Sequence, residues 1–158
     1  MSLDLGPPLR AAFLDQQDPA LQALAAAIIG ELDQYQGQPA VFAFRPVPED
    51  AGDLIILINP DSSIGNADAL RSRRPIVTRD IAIYGRKGTP GDVSDQSPVV
   101  EALGYQVRDL FHLQKFAVQP AGYSVIDIVA TGPVPAPVDD DGEVGRVVSL
   151  TIRLRRNP

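Results

Sequence analysis

The stretch PVPAPVDDDGE, residues 133–143, holds the densest set of potential metal ligands in the chain: Asp139, Asp140 and Asp141 in a row, then Gly142 and Glu143. A helix–loop–helix calcium site spaces its oxygens at alternate positions and ends on a distant bidentate glutamate, because that spacing wraps ligands around one ion. Adjacent aspartates diverge, and Glu143 stands too close to serve as the distant ligand. The alternating prolines in front of them favour an extended, polyproline-like arm. The segment therefore reads as a solvated or partner-facing loop tip in preference to an ion cage.

His112 is the single histidine. It falls at the end of an expected helix, where a positive imidazole suits the helix C-terminus. A Ser-His-Asp triad needs a nucleophile on a sharp turn, but the chain has no G-x-S-x-G, and DSSIG (61–65) reads as an ordinary turn. The absence of cysteine excludes disulfides, thiolate metal sites and cysteine nucleophiles. Asp80 and Asp127 are the acids inside expected strands, and hence the candidates for carboxylate-pair chemistry. A strand acid more commonly faces solvent or pairs with an arginine. YGRKGTPG (84–91) resembles a phosphate loop in its glycines alone, without the lysine–hydroxyl ending.

Two basic clusters stand out in an acidic chain of net charge −6: Arg71, Arg73 and Arg74 in RSRRP, and Arg153, Arg155 and Arg156 in the terminal RLRRNP. General nucleic-acid binding rests on neutralising phosphates, so the overall balance argues against it. The clusters read either as solvated strand edges that deter unwanted pairing or as contacts to acidic surface on a neighbouring molecule, such as the VDDDGE segment of another copy.

The elements that must position these groups are legible from periodicity. Residues 7–35 read as helical, with Asp18 as an N-cap, Pro19 in the first helical position and Leu21, Leu24, Ile28 and Leu32 on one face, ended by Gly37. AVFAF (40–44) reads as a short strand, DLIILI (53–58) as a strand buried on both faces, and IVTRDIAIYG (76–85) as a strand of mixed alternation. A helix follows over 98–112, capped by Ser97, with Val99, Val100, Leu103, Val107, Leu110 and Phe111 buried. Gly104 within it implies a close contact. YSVIDIVAT (123–131) and VVSLTIRLR (147–155) alternate and form an antiparallel hairpin across an extended 132–146 loop. The expected fold is a single α+β domain over 1–158: helices packed on one face of a mostly antiparallel sheet, a helical N-terminal region (1–37) and a long C-terminal β-hairpin. The N-terminus lacks a basic start followed by an apolar run, and the longest apolar stretch is short for a membrane helix, so the expectation is a chain made in the cytoplasm with no membrane partner.

With strand, polar loop and helix in RPIVTRDIAIYGRKGTPGDVSDQSPVVEALGYQVRDLF (74–111), followed by the closing strand VVSLTIRLR, the chain resembles the tail terminator (tail completion) proteins of long-tailed bacteriophages and phage-like particles. The resemblance lies in the layout of residues 40–156. It implies a structural virion protein that forms a ring, usually of six subunits, on the head-proximal end of the tail tube. It also implies contacts to the tube protein and to neck or connector proteins, with DNA passing through the lumen unbound, and assembly in the host cytoplasm. It implies no catalysis and no cofactor. Six copies would carry about −36 charges, which repels DNA from the channel wall. The 133–143 segment matches no family feature. Another neck or head–tail connector ring is the neighbouring alternative. From a different class, the alternative is a small carboxylate-based enzyme or ligand-binding domain.

Overall fold

The alternating C-terminal segment pairs with residues 76–86 in the longest ladder of the computed structural model, which describes residues 4–44, 47–59, 74–89, 91–138 and 142–158. In chain order the elements are α1 (Gly6–Leu14), α2 (Gln22–Glu31), β1 (Gln34–Tyr35), β2 (Gln38–Pro39), β3 (Val41–Phe42), β4 (Ile55–Ile58), β5 (Ile76–Arg86), α3 (Ser97–Phe111), β6 (Tyr123–Pro135) and β7 (Glu143–Arg156). Strands β3 to β7 form one sheet in the order β3-β4-β5-β7-β6. Its pairs are antiparallel except β3–β4, which is parallel. The fold is α+β, with the helices on one face of a mostly antiparallel sheet and β6–β7 as a C-terminal hairpin.

The main core lies between that face and the helices. Val148, Leu150, Ile152 and Leu154 of β7 point into it, as the strict alternation requires, together with Val77, Ile81 and Ile83 of β5. α3 contributes Val100, Leu103, Val107, Leu110 and Phe111. The Phe13 and Phe111 rings meet edge to face at 5.5 Å, which joins α1 to α3. Arg79 alternates onto the core side of β5 and is almost wholly buried; burial pulls its pKa down, while the charge of Asp4 pulls it up. β4 is buried on both faces: Ile56 and Ile58 enter the main core, and Ile55 and Leu57 join a second small cluster with Ala40, Phe42 and Ala51 on the opposite face.

Four expectations change. The 7–35 region holds the two helices that an N-cap at Asp18 implies, but the second is shorter than expected. Asp18 accepts a hydrogen bond from the Ala20 amide at 3.1 Å and its carbonyl closes a turn with Leu21, so it organises a turn and α2 starts only at Gln22. Residues 34–39 are a tight hairpin instead of helix: Gln36 (φ 50°) and Gly37 (φ 77°) supply the two left-handed residues of a type I′ turn. β3 is limited to Val41–Phe42. α3 begins at Ser97 with Gln96 as its N-cap, and Ser97 gives its amide and hydroxyl to Asp95 at 3.0 and 2.6 Å in place of capping the helix itself.

The hairpin is longer and its turn shorter than expected. Strand pairing continues through Val134 with Val147 and Pro135 with Arg146. Pro133 and Pro135 therefore lie in a strand, which β6 tolerates as an edge strand whose outer amides need no sheet partner. The irregularity between Thr131 and Val134 absorbs Gly132–Pro133, and Pro133 packs on α3. A Cβ on Gly104 would stand 2.6 Å from the Pro133 Cβ, which is the close contact that glycine implied.

The outer edge of β6 is guarded beyond its prolines. At the end of α3 the Leu113 amide donates to the Ile128 carbonyl at 2.8 Å, and the Ala130 amide donates to His112 Nδ1 at 3.1 Å. These bonds occupy edge groups that another strand would otherwise pair with. His112 thus serves the edge of β6 through its Nδ1.

Candidate functional site

A concavity with mixed chemistry lies on the sheet face away from the helices. Ile55 and Leu57 of β4 and Tyr84 of β5 form its floor, the 47–53 loop one wall, and the end of the β6–β7 hairpin the other. Its volume is about 890 Å³. Each wall is held by specific local chemistry. Asp33 Oδ2 accepts from the Asp53 and Leu54 amides at 2.7 and 2.9 Å and so pins the loop to the start of the β1–β2 hairpin. Gly52 has φ +90°, and a Cβ there would fall 2.6 Å from Asp33 Oδ2, so this wall requires a glycine. On the opposite wall the Lys87 amide donates to the Gly142 carbonyl at 2.8 Å. Gly145 leaves room for the Tyr84 ring, whose Cε1 would be 2.9 Å from an added Cβ.

The floor is apolar and the rim charged, with Glu49, Asp53 and Glu143 against Arg86 and Lys87. Arg86 and Glu143 face each other across β5 and β7. The lining holds no histidine. Among the described residues no group of three His, Asp or Glu side chains is placed to hold a metal ion. This arrangement can receive apolar side chains flanked by polar ones.

The structure separates the residues singled out by sequence. Glu143 is at the groove. Arg153, Arg155 and Arg156 are toward the other end of β7, about 33–43 Å away at ~3.3 Å per residue. Arg74 adjoins that basic end, since the Pro75 carbonyl accepts from the Leu154 amide. Glu143 and this arginine cluster thus occupy opposite ends of one ladder. Arg71, Arg73, Asp139, Asp140 and Asp141 lie outside the described residues, as does the DSSIG turn.

The two strand carboxylates do not form a pair. Asp80 accepts from Ser149 Oγ at 2.7 Å, while Asp127 is held in a fork by Arg153, with Nε to Oδ1 at 2.8 Å and Nη2 to Oδ2. Ser149 and Arg153 are four residues apart on β7, so the two acids are separated by more than about 13 Å along the sheet, far beyond a glycosidase-type spacing. The Arg153 hydrogen bonds hold the Asp127 carboxyl below its usual range, and the same pairing raises the Arg153 guanidinium. A depressed carboxylate contributes stability that is present above the ordinary carboxylate pKa and lost as pH falls through the folded value. Asp127→Asn should lower the urea midpoint at neutral pH by roughly 0.3 M or less, as exposed ion pairs do, and that difference should vanish in acid. The YGRKGTPG loop is closed on itself. Asp95 accepts from the Gly88 amide at 3.0 Å as well as from Ser97, and these bonds hold its carboxyl below the ordinary range.

Residue-by-residue reading missed the groove because its parts are 90 positions apart. One signal was present: DLIILI is apolar on both strand faces, so the face away from the helices had to be covered by something.

Comparison with protein-family models and with curated proteins finds no match. Among solved structures, a chain of the virion of a native gene transfer agent particle aligns with 98% of this chain and 99% of its own, at 15% identity and a TM-score of 0.63. A second solved chain, at 17% identity over 96% of each, has a TM-score of 0.48 and carries no argument. The first likeness spans every element of the fold, so this chain shares its whole architecture, end to end, with a component of a gene transfer agent virion.

Proposed function

We propose that this chain is a structural virion protein of the tail or neck, and more specifically a tail terminator: a ring on the head-proximal end of a tail tube that stops tube growth and joins the tube to a connector. The observation that carries the reading is the end-to-end match in architecture to a gene transfer agent virion chain. Two further features support it. The strand acids are engaged in hydrogen bonds with Ser149 and Arg153 instead of converging on a substrate. The groove has the apolar floor and charged rim of a recognition surface. A net charge of −6 per chain suits a lumen through which DNA slides without sticking.

A tube-growth assay tests the reading. Tail-tube protein encoded alongside this chain should polymerise into shorter tubes when the chain is added, with extra density at one end in negative stain. Tubes of unchanged length with bare ends, at saturating chain, would contradict the terminator assignment.

A further inference from the structure

We propose that the turn after α3, carrying Leu113 and Phe116, is a knob that docks into the 47–53/hairpin groove of a second copy of this chain. The inference rests on the assembly reading above and specifies the contact that joins the copies.

The knob is unusual on three counts. Leu113 has φ +59°, a left-handed conformation that costs a residue with a Cβ about 1–2 kcal/mol and normally falls to glycine or asparagine after a helix. That conformation is clamped by the His112 and Leu113 bonds to the β6 edge, so the strain is fixed and does not relax. The side chain gains nothing from the fold in return: Leu113 is 67% exposed, and Phe116 three residues on is 63% exposed. The turn beneath them is firmly seated, since Ala117 and Val118 are buried and Gln16, itself buried, donates to the Ala117 carbonyl. Two large apolar side chains thus stand outward on a rigid base, at a cost in backbone strain that glycine would remove. An observed outlier of this kind points to use at an interface.

The groove is complementary to it. Its floor of Ile55, Leu57 and Tyr84 offers apolar surface. Its rim carries Glu49, Asp53 and Glu143, with Arg86 opposite Glu143 across the strands and Lys87 beside it. The knob carries a cation beside its apolar pair, opposite in sign to Glu49 and Asp53, with the Lys115 ammonium 5.0 Å above the Phe116 ring. Within one chain the two surfaces cannot touch. Leu113 sits beside Ile128, whose ladder partner is Ile152, whereas the groove is level with Gly145. That is about 23 Å along the strands, with β5 and β7 between, and the groove opens on the face away from the helices. Matching patches that lie apart on one chain join copies head to tail, and such contacts close into rings when the rotation permits.

The test uses two full-length variants. L113G/F116S removes the knob and also the strain, so its melting temperature should equal or exceed that of the parent chain while self-association weakens about a hundredfold or more. E49K/V138R alters two groove positions on the surface and should also leave a folded, non-assembling chain. Mixed at high concentration, the two should form dimers of about 34 kDa and nothing larger, because one intact knob faces one intact groove. Rings formed by L113G/F116S at parental affinity, or no dimer in the mixture, would overturn the knob and leave the ring reading standing. A parent chain that stays monomeric at all concentrations would overturn both.

Discussion

Phe111→Ala will cost about 3–5 kcal/mol, the largest single-residue loss expected in this fold, because a fully buried aromatic is removed from a site that cannot collapse around the void. Phe111 closes the end of α3, and its ring is the edge-to-face partner of Phe13 on α1. The deletion therefore loosens the helical layer and with it the seat of the 112–118 turn. Domains of this size are stable by only about 5–15 kcal/mol, so urea unfolding should show a sharply lower midpoint with little change in slope. Phe13→Ala should couple to it: the double variant should lose less than the two single losses added, by about 0.5–1.5 kcal/mol. Strict additivity would mean that the two rings do not act as a pair.

Gly132→Ala is the second. Its φ of +104° is a conformation that residues with a Cβ rarely adopt, and a Cβ there would stand 2.7 Å from the Val147 carbonyl oxygen. Both obstacles are backbone, so neither is relieved by rotating a side chain. The expected loss is about 2–4 kcal/mol, combining backbone strain with overpacking. Gly132 also directs Pro133 onto Gly104 of α3, and its carbonyl lies 3.4 Å from Arg108 Nη1. Hydrogen exchange should therefore quicken in β6 beyond Thr131 and in the facing part of β7 while the centre of the sheet stays protected. A loss below about 0.5 kcal/mol would show that the irregularity is looser than its geometry indicates.

The parts of the fold that sequence revealed are those in which one periodicity runs uninterrupted. β7 alternates from Val148 to Arg155 and α3 carries an apolar stripe from Val100 to Phe111, and both stand where the pattern puts them. The misread parts are those in which local chemistry overrode the pattern. Asp18 and Pro19 have the composition of a helix start, but the Asp18 side chain is spent on a turn. Gln36–Gly37 makes a type I′ turn with glutamine where asparagine is the usual sign, so the hairpin is hidden inside a seemingly helical run. The prolines of 133–137 signal a polyproline arm to any local rule. Only the edge position of β6, a tertiary fact, lets Pro133 and Pro135 join a strand.

The candidate site was less legible than the fold for the same reason. Val47, Ile55, Tyr84 and Val138 converge through sheet order, which no spacing along the chain encodes. Leu113 gave no sequence signal at all, because its interest lies in a backbone angle. The charge segregation was legible, and the structure gives it a direction: Glu143 at one end of β7, and Arg153, Arg155 and Arg156 at the other.

The central claim is that this chain works by associating with copies of itself and with neighbouring shell components. Solution mass by light scattering across a concentration series, with negative-stain images of the same fractions, tests it most directly. The account predicts closed rings, at roughly 100 kDa if six chains of 16.9 kDa assemble. A species that remains at 16.9 kDa at every concentration, with featureless single particles, would contradict it.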